Sequence, residues 1–220
     1  MAERAVTLTT PGGDAVHGDL TVPSDAGGVV LFAHGSGSSR HSPRNRAVAE
    51  ALQRRGLATM LVDLLTTSEE HADAVTGRYR FDIGLLSDRL DLVAQRLADD
   101  AATAGLPLGL FGASTGAAAA LVTAGRLGDQ VGAVVSRGGR PDLAGDALSD
   151  VTAPTLLIVG SRDHTVIQLN EAALERMRGE HDITIVEGAS HLFEEPGTLD
   201  EVARLAGDWF VERLTIEKRA

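Results

Sequence analysis

Short, mostly apolar tracts, separated by segments with helical spacing, constrain the fold of this 220-residue chain more than any other feature. A strand without polar positions has to be covered on both faces, as happens in parallel sheets flanked by helices. Strands that alternate with helices in this way predict an α/β fold with a mostly parallel sheet. The six tracts that we interpret as buried strands cover residues 28–33, 57–62, 106–111, 131–135, 155–159 and 182–186.

Two further strands precede these six, at residues 5–10 and 15–22, where apolar and polar residues alternate on either side of a Pro-Gly-Gly-Asp turn. They predict an antiparallel hairpin, which gives an eight-stranded sheet with helices on both faces. No linker-like change in composition divides the chain, and we expect a single domain over residues 1–220. Residues 65–80 show no strong pattern and are predicted to form a long polar loop. Periodicity predicts helices at residues 45–55, 81–97, 114–127, 171–177 and 198–214.

The composition excludes several classes of function. Acidic residues outnumber basic ones by 31 to 20, and the formal net charge of −11 disfavours nucleic-acid partners. The absence of cysteine excludes disulfides, thiolate metal sites and a cysteine nucleophile. No apolar tract approaches the ~18 residues of a membrane span, and the first residues show no secretory signal pattern. We therefore expect a cytoplasmic protein, a monomer or homodimer, that acts on a small molecule without binding membranes.

The sequence Gly112-Ala113-Ser114-Thr115-Gly116 follows the third predicted buried strand. A G-x-S-x-G pattern between a strand and a helix is typical of a nucleophile elbow, in which a strained turn exposes a serine hydroxyl. The N-terminus of the following helix favours negative charge close to that serine. Ser114 is therefore the predicted nucleophile, and the alternative is an ordinary turn in which Ser114 caps the helix.

A Gly/Ser-rich loop at residues 34–40 follows the first buried strand. Backbone N–H groups in such a loop can hold a developing oxyanion, and the N–H of Ser36 is the predicted first donor. The second predicted donor is the N–H of Thr115, the residue after the nucleophile. We assign Gly35 and Gly37 as weaker substrate contacts.

The same loop also admits a nucleotide-binding interpretation, since Asp63 ends the next strand about where a ribose-binding acid would lie. However, the loop has no lysine for a P-loop, and Arg40 occupies the position of the third glycine of a dinucleotide loop. We therefore favour the oxyanion interpretation, in which His34 orients the loop.

Asp163 and His191 supply the other residue types that a serine nucleophile needs. Asp163 follows the fifth buried strand and His191 follows the sixth, so both are expected at the sheet edge that carries Ser114. The imidazole can accept the serine proton near neutral pH, and the carboxylate fixes its tautomer. His164 is a rival base, but it adjoins Asp163 and is poorly placed to receive that carboxylate. No histidine spacing suits a metal, so we predict neither a metal site nor a cofactor.

Arg137 follows the fourth buried strand within the sequence SRGGRP. An arginine at the carboxyl end of a strand can clamp an anionic substrate group through paired hydrogen bonds. The alternative is a structural ion pair with one of the many acidic residues. The sequence leaves both interpretations open.

These motifs resemble the dienelactone hydrolase family of the α/β-hydrolase superfamily over nearly the whole chain. The order Ser114, Asp163, His191 is also the triad order of that superfamily. The resemblance implies an α/β-hydrolase fold without a cap domain, an open site and ester chemistry. In one actinobacterial-type subgroup, relatives are sometimes fused to a phosphoribosyltransferase domain. The resemblance depends on the segments VVLFAHGSGSSRHSPRN, RFDIGLL, GLFGASTGAAAAL, VVSRGGRPDLAG, PTLLIVGSRD and GASHLFEEPG.

The chain departs from the namesake enzymes at the nucleophile, because they use cysteine and position 114 is serine. They also bind a carboxylated lactone through arginines, for which Arg137 is the one loose candidate here. The expected function is therefore hydrolysis of small or short-acyl esters or lactones through an acyl-enzyme on Ser114. Acyl transfer or thioester hydrolysis by the same triad, and a non-catalytic nucleotide- or ligand-binding domain, are the alternatives.

Overall fold

The computed structural model describes residues 1–214, in which eight strands form one sheet of order β1-β2-β4-β3-β5-β6-β7-β8. β1 and β2 pair antiparallel, as do β2 and β4, and the other pairings are parallel. The predicted α/β class and eight-stranded, mostly parallel sheet are confirmed. The strands are β1 (Ala2–Thr9), β2 (Ala15–Val22), β3 (Gly28–Ala33), β4 (Leu57–Val62), β5 (Leu108–Ala113), β6 (Val131–Arg137), β7 (Thr155–Gly160) and β8 (His181–Val186).

Helices cover both faces of this sheet. The side chains of its central strands are mostly apolar because they are buried on either face. Every residue of β3 is buried, and successive side chains enter different core layers, with Leu31 on one face and Phe32 on the other. Two helices, α1 and α6, pack on the Phe32 face, while α3 and α4 pack on the Leu31 face. The helices are α1 (Pro43–Gln53), α2 (Thr67–Thr76), α3 (Ile83–Asp99), α4 (Thr115–Leu127), α5 (His164–Leu174) and α6 (Thr198–Leu214).

The expectation for residues 65–80 was wrong, because this segment contains the helix α2 rather than an irregular loop. Thr66 caps the helix and exchanges hydrogen bonds with Glu69 in a capping box, and Gly77 ends it in the left-handed region. Asp73 is the buried residue of α2, so the helix has no apolar stripe. Our expectation relied on apolar periodicity and passed over the Thr-x-x-Glu signal.

Two other boundaries differ in ways that affect the site. Helix α5 begins at His164 rather than at residue 171, directly after Asp163. Strand β6 runs through Arg137 instead of ending at residue 135, because Arg137 still pairs with Ile158 of β7. Arg137 therefore belongs to the rigid sheet and not to the loop that follows it.

The topology creates one crevice at the carboxyl ends of the central strands. The chain crosses from β3 to β4 on one side and then returns to β5 on the other side of β3. Such a switch point leaves the loops after β3 and β5 facing each other, and ligands bind there in open α/β sheets. Between β6 and β7, the described chain has two short 3-10 turns within Pro141–Asp150, separated by a kink at Gly145, and no inserted cap. No helix within residues 1–214 has the length and apolar character needed to span a bilayer.

Candidate active site

Ser114 stands in a strained turn between β5 and α4. Its backbone φ angle is +50°, a value that residues other than glycine rarely adopt. The turn depends on glycines at both ends: a Cβ at Gly112 would lie 2.3 Å from the Cα of Ala117, and one at Gly116 would lie 2.3 Å from the carbonyl oxygen of Ala33. The two glycines therefore let β3, β5 and α4 approach closely enough to present Ser114 at the crevice.

The hydroxyl of Ser114 is not used to cap α4, although the residue occupies the N-cap position. Backbone bonds hold the turn instead. The Ser114 N–H donates to the Arg137 carbonyl at 3.2 Å, and the Ser114 carbonyl accepts from the N–H groups of Ala117 and Arg140, each at 3.1 Å. The turn is thereby fixed to β6, and its side chain is left available.

Asp163 and His191 meet across the ends of β7 and β8. Asp163 Oδ2 lies 2.6 Å from His191 Nδ1, and the Asp163 side chain is 15% exposed. Asp163 is the N-cap residue of α5 but makes no side-chain capping bond, because its carboxylate is turned to the imidazole. His164, the rival base, is exposed on the first turn of α5.

Ser114 and His191 line the same cavity, which also contacts Ser36 and Arg137. Within residues 1–214, the His191 imidazole is hydrogen-bonded to the Asp163 carboxylate. No hydrogen bond joins the imidazole to the Ser114 hydroxyl. Such contacts are often long in enzymes without substrate and shorten when it binds.

The loop after β3 passes next to the elbow. A Cβ on Gly35 would lie 3.0 Å from the Cβ of Ser114, and the hydroxyls of Ser36 and Thr115 are 3.0 Å apart. In the described part of the chain, neither the Ser36 N–H nor the Thr115 N–H donates to another group. Gly37 has a φ of +68° and contacts the neighbouring cavity on the α2 side.

His34 fixes this loop to the end of β4. Its Nε2 accepts from the Leu64 N–H at 3.0 Å, and its Nδ1 lies 3.0 Å from the Gly35 carbonyl, to which it donates. Burial lowers the pKa of His34 below its ordinary value of 6.5. The neutral imidazole can therefore use both ring nitrogens as described, and it acts as a positioning residue for the loop.

The cavity on the other side of the Ser36 loop is lined by α2 and by the ends of β3 and β4, and its charged residues are mostly paired. Asp63 accepts from the backbone N–H of Arg40 at 2.8 Å and forms an ion pair with its guanidinium. Asp73 accepts from the N–H groups of Tyr79 and Arg80 and binds Arg80 Nε at 2.7 Å. Desolvation alone would raise the pKa of Asp73, but these bonds together outweigh it and keep the pKa below its ordinary value of 3.8. The carboxylate of Asp63 is thus already bound by Arg40, which disfavours its use as a ribose-binding acid.

Sequence reasoning missed two residues of the site and gave a third, Arg80, only weak support as a possible anion-binding arginine. Arg44 and Asn45, on the first turn of α1, line the cavity of Ser114. Arg80 lies at the end of the segment 65–80 that contains α2, and its carbonyl oxygen lies 3.4 Å from the Ser36 hydroxyl. The Ser42-Pro43 pair, a typical start of a helix, is the signal that would have placed Arg44 and Asn45 at the crevice.

Comparisons with known proteins place the chain among hydrolases. A family model described as an alpha/beta hydrolase domain matches residues 26–204. The crystal structure of dienelactone hydrolase from Anabaena variabilis is 55% identical, with a TM-score of 0.93 over 97% of this chain and 98% of that one. Est1E from Butyrivibrio proteoclasticus shares the fold, with a TM-score of 0.78 at 14% identity over 94% of this chain and 98% of that one.

A Mycobacterium tuberculosis protein named "Putative phosphoribosyl transferase" is 59% identical over 199 residues. The match covers 90% of this chain and 44% of that protein. The chain therefore spans less than half the length of the curated relatives that it matches.

Proposed function

The chain belongs to the alpha/beta hydrolase domain family, and we propose that it hydrolyses carboxylic esters through an acyl-enzyme formed on Ser114. The Asp163–His191 bond of 2.6 Å is the observation that carries the proposal. A carboxylate on Nδ1 leaves the other ring nitrogen as the base, and that ring lines one cavity with a serine whose hydroxyl is unused. The relative from Anabaena variabilis, named a dienelactone hydrolase, supports ester chemistry.

In the proposed first step, His191 takes the proton of the Ser114 hydroxyl as its oxygen attacks the acyl carbon. The carbonyl oxygen becomes an oxyanion, which the N–H groups of Ser36 and Thr115 stabilise. Asp163 stabilises the imidazolium that forms. The ester C–O bond then breaks, His191 returns its proton to the departing alcohol, and an acyl group stays on Ser114.

In the second step, His191 takes a proton from water, and the resulting hydroxide oxygen attacks the acyl carbon of the acyl-enzyme. The same donors hold the second oxyanion. Its collapse breaks the bond to the Ser114 oxygen, which regains a proton from His191 and releases the acid.

The substrate is proposed to be a small or short-acyl ester or lactone. No cap insertion between β6 and β7 covers the cleft, and Gly35 and Gly37 bring bare backbone to its floor. On the α2 side, the apolar contacts available to the substrate come from Leu64, Leu65 and Leu86. Phosphoribosyl transfer, the activity in the name of the longer Mycobacterium tuberculosis relatives, is not proposed for this chain, because the matched part belongs to a hydrolase family.

The test is turnover of p-nitrophenyl acetate and butyrate by the parent chain and by Ser114→Ala. We expect kcat to fall by about 10³–10⁶ in the variant. Ser149→Ala is the matched control, because its hydroxyl bonds to the Asp146 carbonyl far from the cleft. Equal rates for Ser114→Ala and the parent would remove the proposal.

A further inference from the structure

Asn170 is a fully buried polar residue in the second half of α5. Its Nδ2 donates to the Val166 carbonyl, one turn earlier in the helix, at 2.8 Å, and to the Gly139 carbonyl at 3.0 Å. Gly139 lies outside the helix, in the loop that follows β6. The second bond therefore ties α5 to that loop, and within residues 1–214 no other donor binds the Gly139 carbonyl.

The buried amide is a poor choice if its purpose is only to stabilise the helix. Its Oδ1 has no hydrogen-bond partner in the described chain, a cost that an apolar side chain in the same place would avoid. Asparagine is also a weaker helix former than alanine or leucine. The bond to Gly139 is the contribution of Asn170 that an apolar residue could not supply.

α5 connects this bond to the proposed triad. Seven residues, close to two helical turns, separate Asp163 from Asn170, so their Cα atoms lie along one side of the helix. At the N-terminal end, Asp163 holds His191 Nδ1 at 2.6 Å. Two turns later, Asn170 holds the loop after β6. One side of α5 therefore carries both the proposed triad acid and the contact to that loop.

The loop in question, residues 137–140, is called the clamp loop because it binds the Ser114 turn by two backbone bonds. The Arg137 carbonyl accepts from the Ser114 N–H at 3.2 Å, and the Arg140 N–H donates to the Ser114 carbonyl at 3.1 Å. These bonds lie on either side of the Ser114 Cα atom. The clamp loop therefore fixes the backbone that carries the proposed nucleophile.

The clamp loop also passes directly against the proposed base. Gly138 has a φ of +50°, and a Cβ at this position would lie 3.1 Å from the His191 carbonyl oxygen and 3.5 Å from its Nδ1. The Gly138 N–H donates to the Ile158 carbonyl of β7 at 2.7 Å, which anchors the loop to the sheet. Because the loop adjoins both Ser114 and His191, its position affects how closely the imidazole approaches the serine hydroxyl.

We propose that Asn170 is a positioning residue for this reaction: through the Gly139 carbonyl, it fixes the clamp loop and with it the separation of the Ser114 hydroxyl from the His191 imidazole. The proposal rests on ester hydrolysis as the reaction and adds a residue that touches neither the substrate nor the reacting atoms. The hydrogen bond between Ser114 and His191 is not formed in the described chain, so a small displacement of the loop decides whether it can form with substrate. A misplacement of about 1 Å can lower a rate by about 10²-fold.

The first test compares hydrolysis of p-nitrophenyl butyrate and phenyl butyrate by the parent chain and by Asn170→Leu. p-Nitrophenolate departs readily without a proton, whereas the more basic phenolate leaves faster when His191 protonates it. A displaced imidazole should therefore slow the phenyl ester more. We expect kcat for the p-nitrophenyl ester to fall by about 10–100-fold with KM changed by less than about twofold. The ratio of kcat/KM for the p-nitrophenyl ester to that for the phenyl ester should rise by about 3–10-fold.

Thr103→Val is the matched control for loss of a buried hydrogen bond. The Thr103 hydroxyl donates to the Leu97 carbonyl at 2.6 Å, in the turn between α3 and β5, at the end of the sheet opposite the cleft. Both variants should lower Tm, but only Asn170→Leu should change the ratio for the two esters. An unchanged ratio in Asn170→Leu, with both rates lowered only in proportion to the folded fraction, would overturn the proposal.

A second variant, Asn170→Ser, covers the case in which leucine prevents folding. A serine hydroxyl can still donate to the Val166 carbonyl, because serine forms this bond within helices, but its shorter side chain loses the Gly139 carbonyl. The ratio for the two esters should rise as in Asn170→Leu. The parent ratio in Asn170→Ser would show that the bond to Gly139 does not position the triad.

A third variant, Gly138→Ala, disturbs the clamp loop from the side of His191. The added Cβ presses on that residue, so the ratio for the two esters should rise again. Combined with Asn170→Leu, the loss in kcat should be smaller than the product of the two separate losses, because both changes act on one loop. Fully multiplicative losses would contradict a shared route through the clamp loop. The proposed function fails in a different way, since the parent chain would then turn over neither ester.

Discussion

On the α2 side of the Ser36 loop, two arginines are each held by an aspartate, Arg40 by Asp63 and Arg80 by Asp73. On the other side, where Ser114 lies, Asp163 holds a histidine and Arg137 holds no carboxylate of the described chain. The same residue types therefore serve two purposes. The arginine–aspartate pairs on the α2 side satisfy each other and fix the shape of the cleft, whereas in the proposed function Asp163 orients His191 as a base.

The largest expected effect that tests this comparison comes from Asp163→Asn. The amide keeps the size of the side chain but cannot stabilise the imidazolium, and it favours the wrong tautomer of His191. We expect kcat for p-nitrophenyl butyrate to fall by about 10³–10⁴, with little change in Tm. A loss of less than about tenfold would mean that the Asp163–His191 bond is structural, as the pairs on the α2 side are.

The matched change on the α2 side, Asp73→Asn, should lower the stability of the fold more than it lowers the catalytic rate. Asp73 accepts two backbone N–H bonds and holds the Arg80 guanidinium, so the amide leaves Arg80 without its counter-charge. We expect Tm to fall by a few degrees, while kcat falls by less than about tenfold. A kinetic loss as large as that of Asp163→Asn, with Tm unchanged, would contradict the division between the two sides.

A smaller effect is expected in the pH dependence of stability. The pKa of Asp73 is held below 3.8 in the folded chain, so the unfolded chain takes up the proton first as pH falls. The stabilisation is fully present above the unfolded pKa and is lost as pH drops through the lower folded value. The difference in Tm between the parent chain and Asp73→Asn should therefore narrow below about pH 4. A difference that stays constant from pH 6 to pH 3 would show that ionisation of Asp73 does not matter.

The sheet and the candidate triad positions could be predicted from the sequence because both depend on strong local signals. Mostly apolar tracts mark the strands β3 to β8, and Ser114, Asp163 and His191 each follow the end of one of them. Helix α2 was missed because its faces are polar, and the start of α5 was missed because Asp163 was assigned to the site and not also to the N-cap. Asp163 can occupy the N-cap position and still contact His191, because its carboxylate turns away from the helix.

The surroundings of Arg137 could not be predicted, because they depend on contacts between distant segments. The sequence places an arginine near the end of β6 but does not show which carboxylates can reach it. That information comes from the packing of α1, which brings Arg44 and Asn45 to the same cavity. Sequence reasoning therefore left the ion pair and the anion clamp both open, with the ion pair slightly favoured, whereas no carboxylate of residues 1–214 forms an ion pair with Arg137.

The most direct test of the account is covalent labelling by a fluorophosphonate, with the modified residue located by peptide mass spectrometry. The account predicts one adduct per chain on Ser114, no adduct in Ser114→Ala, and slower labelling in Asp163→Asn. Labelling confined to another residue, or an unreactive parent chain that is correctly folded, would contradict the claim that His191 and Asp163 activate the Ser114 hydroxyl.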